Sequence, residues 1–340
     1  MRYVVKGKKM AKFLLVISFS IIITSCGEKA PNKMADGNVE VVNNQQVQGR
    51  GEGKDNWWDS LPRAHWDNFE KVAQDQDWFE VYKITDDIYA IYEMGQFEEA
   101  ICYLILGSER ALLFDTGIGV GNIKKLVSNL TDLPVSVLNS HTHYDHVGGN
   151  HYFETIYGTS TEYTANHTMG RPNNEVREFV GPGWVWKPMP NGVTADNYHS
   201  KSFTISDFIN DGDKIDLGDR VLEVFLVPGH TPDALVVMDR EQRLMFMGDT
   251  FYPASLYAHM GDANFGNYVK SAQRLATMSK EVDILLPAHN EPWVSSAYLQ
   301  AMYDGFLAIQ KPGATYNIAD GDREYRFDGF TIMVSDPPPW

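Results

Sequence analysis

The stretch His141-Thr142-His143-Tyr144-Asp145-His146 places four potential metal ligands within six residues. It follows an apolar run over 135–138 and precedes Gly148-Gly149. The histidines therefore leave the end of a buried strand and enter a tight turn, the place where open sheets carry their sites. Imidazole nitrogen and carboxylate oxygen suit zinc, iron or manganese, and the lack of thiolate argues against an iron–sulfur cluster.

Further along the chain, three more apolar runs end in residues of ligand type. Residues 221–227 lead to Pro228-Gly229-His230, 244–247 to Gly248-Asp249-Thr250, and 284–286 to Pro287-Ala288-His289. A lone histidine after a strand is usually structural. Three such endings joined to H-x-H-x-D-H bring seven ligand-type residues together, enough for two neighbouring ions. Other β-rich runs fall at 81–84, 88–92, 101–106, 111–114, 214–217, 235–238 and 330–334. The spacing predicts helices over 120–130, 264–278 and 295–310, and a short N-terminal helix within 62–77. Residues 160–202 show little periodicity, as binding loops or lids do. Within them Trp184 and Trp186 either line a substrate pocket or pin the loop to the surface.

At 340 residues the chain is long enough for one large domain or two small ones. Its formal charge is −16, and removing the first 25 residues, with five basic side chains and no acid, takes it to −21. Such a surface repels phosphate backbones, and no lysine- or arginine-rich run offsets it, so no nucleic-acid partner is expected. The basic opening and the apolar run over 13–23 have the form of a signal peptide rather than a membrane span. The run ends Ile23-Thr24-Ser25-Cys26, which resembles a bacterial lipobox. The resemblance implies cleavage before Cys26 and lipidation of it, a membrane partner through that lipid, and a place on the cell envelope. Residues 26–55, rich in Asn, Gln, Gly and charge, read as a flexible tether, and 56–340 as the domain with its N-terminal helical extension. Cys102, inside an apolar run, reads as a buried small hydrophobe.

Over roughly 81–335 these motifs together resemble the metallo-β-lactamase superfamily. The resemblance implies an α+β fold, a four-layered αββα sandwich with metals at one edge between two sheets. Carried over, His141, His143 and His230 are the ligands of a first ion, Asp145, His146 and His289 those of a second, and Asp249 bridges both. Asp115, in Leu-Phe-Asp-Thr-Gly, matches a position that supports the metal-binding loop. Two divalent ions, zinc first with iron or manganese as alternatives, would share one hydroxide as the nucleophile. Asp145 would hold or relay its proton. Pro232-Asp233 stands where the family commonly has Pro-Gly.

The resemblance implies a dinuclear hydrolase of a small ester, lactone, thioester or amide. Lactonases of the family carry a tyrosine three residues after the bridging aspartate, and Tyr252 sits at that spacing, able to hydrogen-bond a substrate carbonyl. Alternatives are a β-lactamase, disfavoured by Asp249 itself, and a mononuclear iron enzyme like persulfide dioxygenase. Glyoxalase II is disfavoured because only 51 residues follow His289. A non-catalytic binding relic of the fold would have no reason to keep all seven ligands.

Overall fold

The computed structural model describes residues 56–340; the expected signal peptide, Cys26 and the tether lie outside them. Eight strands form the first sheet in sequence order. They are β1 (Glu70–Val72), β2 (Glu80–Thr85), β3 (Ile88–Tyr92), β4 (Ile101–Leu106), β5 (Ala111–Phe114), β6 (Val135–Leu138), β7 (Ile156–Gly158) and β8 (Asp207–Phe208). A second sheet takes β9 (Lys214–Asp216), β10 (Val221–Leu226), β11 (Leu235–Asp239), β12 (Leu244–Gly248), β14 (Ile284–Pro287) and β15 (Val294–Ser295). β13 (Ser255–Tyr257), β16 (Asn317–Ala319), β17 (Asp322–Phe327) and β18 (Phe330–Val334) make a smaller third sheet.

Alternation of side chains along the strands decides the layering. In β4, Ile101, Tyr103 and Ile105 face the second sheet, while Cys102 and Leu104 face α1 (Ile123–Leu130). In β12, Leu244 and Phe246 face the first sheet, while Met245 and Met247 face α5 (Phe265–Thr277) and α6 (Ala297–Ile309). Both faces of the central strands are buried, so they read as continuous apolar runs. Helix, sheet, sheet and helices thus form the four layers of the expected α+β sandwich. Cys102 is buried and unpaired. No helix among the described residues is long and apolar enough to cross a membrane.

Two expectations need correction. The helix within 62–77 does not form: the segment makes 3-10 turns at Trp57–Ser60 and Ala64–Asn68, then enters β1. Pro62 withholds a donor from any helix there, and β1 satisfies its backbone against β2 with Val72 opposite Val81. The segment also has a tertiary role. Trp66 stacks on Tyr92 and donates its indole N–H to the carbonyl of Asn290, 3.1 Å away. Residues 160–202, read as irregular, hold α3 (Glu162–His167), α4 (Asn173–Val176) and a 3-10 turn. One-turn helices are too short to show periodicity.

Glu99 is fully buried and has a positive φ of 52°. Arg63 binds both of its oxygens, Tyr92 donates its hydroxyl to it, and Asn290 donates Nδ2 at 3.1 Å. Arg63→Ala would leave that carboxylate buried without its cation. We expect a loss of about 3–5 kcal/mol, the usual effect of breaking a buried pair, read as a lower denaturation midpoint in urea. A midpoint equal to wild type would show that Glu99 is not relying on Arg63.

Candidate metal centre

Every ligand-type residue lies just beyond the C-terminal end of a strand. β5 and β6 run parallel in one sheet, and β12 and β14 run parallel in the other, so four C-terminal ends meet at one rim. The sheets are stitched together there: Leu235 donates its N–H to Ser140 O at 2.8 Å, and Ile101 donates to Ala288 O at 2.7 Å. Gly248 makes the approach possible. Its φ is +51°, and a Cβ on it would sit 2.3 Å from Ser140 Cβ. The register of β12 shifts at this point, which turns Asp249 into the gap between the sheets.

All seven residues converge, in two sets. His141, His143, His230 and Asp249 bring one ligand atom each to a common point, and so do Asp145, His146 and His289. His141 Nε2 lies 2.9 Å from His143 Nδ1, which is 3.2 Å from His230 Nε2. Asp249 spans the two sets with its two oxygens. Its Oδ2 is 3.4 Å from His230 Nε2, and its Oδ1 is 2.8 Å from His289 Nε2 and 3.2 Å from His146 Nε2. Asp145 Oδ2 lies 3.3 Å from His146 Nε2.

Each imidazole is oriented through its other nitrogen. His146 Nδ1 meets Asp115 Oδ2 at 2.9 Å, His143 Nε2 meets Asp262 Oδ2 at 3.0 Å, and His141 Nδ1 meets Ser140 Oγ at 3.1 Å. Backbone carbonyls serve the other two, Tyr257 O for His230 at 3.3 Å and Glu98 O for His289 at 2.6 Å. Outer partners of this kind fix tautomer and ring plane in metal sites. Asp115 does what its sequence position implied: it is buried, holds a φ of 66°, and also accepts from Ser140 N and Oγ.

The donor set fits a pair of cations. His146 Nε2 and Asp249 Oδ1 are both buried with no hydrogen-bond partner, and they face each other 3.2 Å apart, where a cation would answer both. Burial, with His146 and His143 close by, holds His141 well below the ordinary imidazole value. Burial likewise takes His230 down to about 4, so both rings are neutral and have a lone pair to give. In the second set burial acts the same way but is outweighed. Asp249 raises His289 to about 9, and Asp145, Asp249 and Asp115 hold His146 well above its usual value. A cation held there would take the place of those protons. Burial works to raise Asp249, but the imidazoles of His289, His146 and His141 hold it well below the carboxylate range.

Tyr252 does not take the expected part. Its hydroxyl donates to Ser255 O at 2.6 Å, within its own turn, and its ring lies against His289 at 5.1 Å. Trp184 and Trp186 pin their loop. Trp184 meets Phe97 and Phe179 edge-on, and Trp186 stacks on Trp58 with centroids 5.0 Å apart. Asp233 explains the departure from Pro-Gly: its buried carboxylate accepts from Thr142, Thr164 and Thr231 and ties three loops together. Asp262, Glu98 and Tyr257 were not singled out in the sequence. Only Asp233 carried a signal, as a residue out of place in its motif.

This is a metallo-hydrolase fold with a two-set histidine–carboxylate centre. The metallo-beta-lactamase superfamily model matches residues 99–289, and the chain belongs to that family. It is 29% identical over 228 residues to a Gallus gallus protein named acyl-coenzyme A thioesterase MBLAC2, covering 63% of this chain and 81% of that one. It is 27% identical over 124 residues to a hydroxyacylglutathione hydrolase of Rippkaea orientalis, covering 35% of this chain and 36% of that one. The solved structure of VMB-1 shares the fold, with a TM-score of 0.51, 18% identity, and coverage of 70% of this chain and 100% of that one. The chain is a hydrolase of this superfamily.

With the Tyr252 hydroxyl committed to Ser255, Tyr252→Phe should keep kcat/KM close to wild type and lower stability by about 1–3 kcal/mol through the unsatisfied carbonyl. A fall of ~10²–10³ in turnover would instead show that the hydroxyl reaches the transition state.

Proposed function

We propose that the chain is a dinuclear, zinc-dependent thioester hydrolase of the cell envelope. The observation that carries the reading is Asp249, whose two oxygens face two separate histidine sets, one oxygen toward each. His141, His143 and His230 would hold the first ion, Asp145, His146 and His289 the second, and Asp249 both. Nitrogen and oxygen donors suit zinc, with iron and manganese next. Two ions bound there supply a nucleophile from water at neutral pH and polarise a carbonyl.

The residues of the chain do the rest. Burial works to raise Asp145, but His146 and His289 outweigh it and keep the carboxylate ionised, ready to accept a proton at the site. Asp115 and Asp262 hold His146 and His143 in register as charge shifts. A thioester asks little more. Its leaving thiol has a pKa near ~8.5, so the thiolate departs without a proton delivered to it, unlike an amide nitrogen. The names of the two relatives, a coenzyme A thioesterase and a hydroxyacylglutathione hydrolase, support the same bond.

The test is metal analysis with a substrate panel. The purified domain should carry close to two ions per chain and lose activity with a chelator. Asp249→Ala should lose both the ions and the activity. Thioesters should be cleaved with higher kcat/KM than lactones, and both far above β-lactams. One ion per chain with full activity would favour an iron oxidoreductase. Penicillin or carbapenem hydrolysis faster than any thioester would favour a β-lactamase.

The envelope location rests on residues 1–26. A basic opening, an apolar run and Ile23-Thr24-Ser25-Cys26 support cleavage before Cys26 and its lipidation, with 26–55 as the tether of the domain. Cys26→Ala should block processing or release the protein from membranes while its metal content stays the same. Cleaved Cys26→Ala protein that remains in the membrane fraction at high salt would rule the anchor out.

A further inference from the structure

A surface cavity of about 540 Å³ is lined by His151 and by residues of the 169–172 and 199–202 segments. It falls in the size range of small-molecule sites. Four of its lining residues are basic or ionisable to cations, His151, Arg171, His199 and Lys201, and no carboxylate lines it. That is unexpected in a chain of formal charge −16. Arg171 is the clearest case. Every other arginine among the described residues forms an ion pair with a carboxylate, and Arg171 forms none. Lys201 also lacks one; its ammonium lies 3.2 Å from His151 Nε2.

The cavity is built rather than incidental. Arg171 and Ser200 exchange both backbone hydrogen bonds, at 2.9 and 3.1 Å, which fixes the two basic segments side by side. Gly170, with φ +76°, allows this approach, since a Cβ there would lie 2.4 Å from Ser200 O. The Arg171 guanidinium is aimed by His167. Arg171 Nη2 can only donate, so His167 Nε2 accepts, at 2.6 Å. His167 Nδ1 then faces Thr142 Oγ1 at 3.2 Å, and Thr142 passes its own proton to Asp233. Thr142 lies between the ligands His141 and His143. The cationic cavity is therefore wired to the metal loop through two side chains. The unbalanced positive charge is felt locally: burial, Lys201 and His199 hold His151 below its ordinary value.

We propose that this cavity is an anion site that binds the phosphorylated end of the thiol carrier whose acyl group is released at the metal centre. The proposal rests on the thioester reading above. Arginine and lysine converging without carboxylates recognise phosphate through charge-assisted hydrogen bonds. A carrier reaching from the cavity to the centre would present its thioester to the ions while its phosphates stay away from Asp145, Asp249 and Asp262. An acyl group on an uncharged thiol would gain nothing from the cavity.

The test has a binding arm and a kinetic arm, on the metal-loaded protein. In the first, calorimetry measures 3′-phosphoadenosine 5′-diphosphate, the nucleotide end of coenzyme A, and inorganic phosphate as its control. Wild type should bind the nucleotide more tightly than phosphate, and Arg171→Gln/Lys201→Gln should weaken it by about tenfold or more. Lys201→Glu, at an exposed position outside the Arg171–His167 contact, should weaken it in the same direction even if the double variant misfolds. In the second arm, an acyl-coenzyme A is compared with the same acyl group on N-acetylcysteamine. The variants should raise KM for the coenzyme A thioester far more than they change kcat, so that wild-type preference for the charged substrate disappears. Equal nucleotide affinity in wild type and variants, phosphate binding as tight as the nucleotide, or a preference unmoved by the substitutions would each overturn the proposal. Nucleotide binding that the variants lose, in a protein that cleaves no thioester, would uphold the anion site and sink the thioester reading instead.

Discussion

The carboxylate of Asp249 is buried, touches three imidazoles within 3.4 Å, and leaves one oxygen without a hydrogen-bond partner. A group of that kind costs several kcal/mol to bury unless opposite charge answers it. Much of the fold answers it. The β12 register shift aims it, Gly248 lets the opposing sheet come close enough, and the histidines arrive from three other strand ends. Burial works to lower His146 and His289, but the neighbouring carboxylates outweigh it and raise both above the ordinary imidazole value. The same carboxylates that hold these protons would favour a cation in their place.

Strain follows the same contour. Asp115, Glu99 and Asn290 are non-glycine residues with positive φ, of 66°, 52° and 67°, and all three sit next to a ligand or its support. Backbone in that region persists only where the surroundings over-determine it. Asp115 is held by Ser140 and His146, and Glu99 by Arg63, Tyr92 and Asn290. The N-terminal turns thereby reach His289: Trp66 and Arg63 both bind the carbonyl of Asn290, the residue that follows it. A segment that looks like an appendage is a clamp on one ligand.

The legible parts of this protein are those where local sequence carries the physics. Strands β4, β5, β6 and β18 were placed to the residue because apolar runs with both faces buried leave no ambiguity, and their ends mark the ligands. Strands β7, β8 and β15 were not, since two or three residues pair only because a neighbour is already there. Tyr252 shows the same limit within a motif. Its spacing from Asp249 was read correctly, but whether a hydroxyl turns to the metals or to Ser255 O depends on a turn that spacing does not encode. Asp262 and the carbonyls of Glu98 and Tyr257, all distant in sequence from the rings they orient, left no trace to read.

Charge supplies the last step. The absence of a basic run in the sequence argued against a nucleic-acid partner, which needs a continuous track. That argument does not reach a single anionic group, because residues 151, 171, 199 and 201 lie apart in sequence and meet only in the fold. The metal rim is rich in carboxylates, among them Asp115, Asp145, Asp249 and Asp262. Those carboxylates are answered by the imidazoles and by the cations the site would hold, which leaves no side-chain cation at the rim for a phosphate. Arg171 and Lys201 lie outside that set of carboxylates, and Arg171 is joined to the metal loop by His167 and Thr142. Under the thioester reading proposed above, the anionic end of a substrate would be drawn to Arg171 and Lys201, and its neutral thioester to the ligand-type residues at the rim.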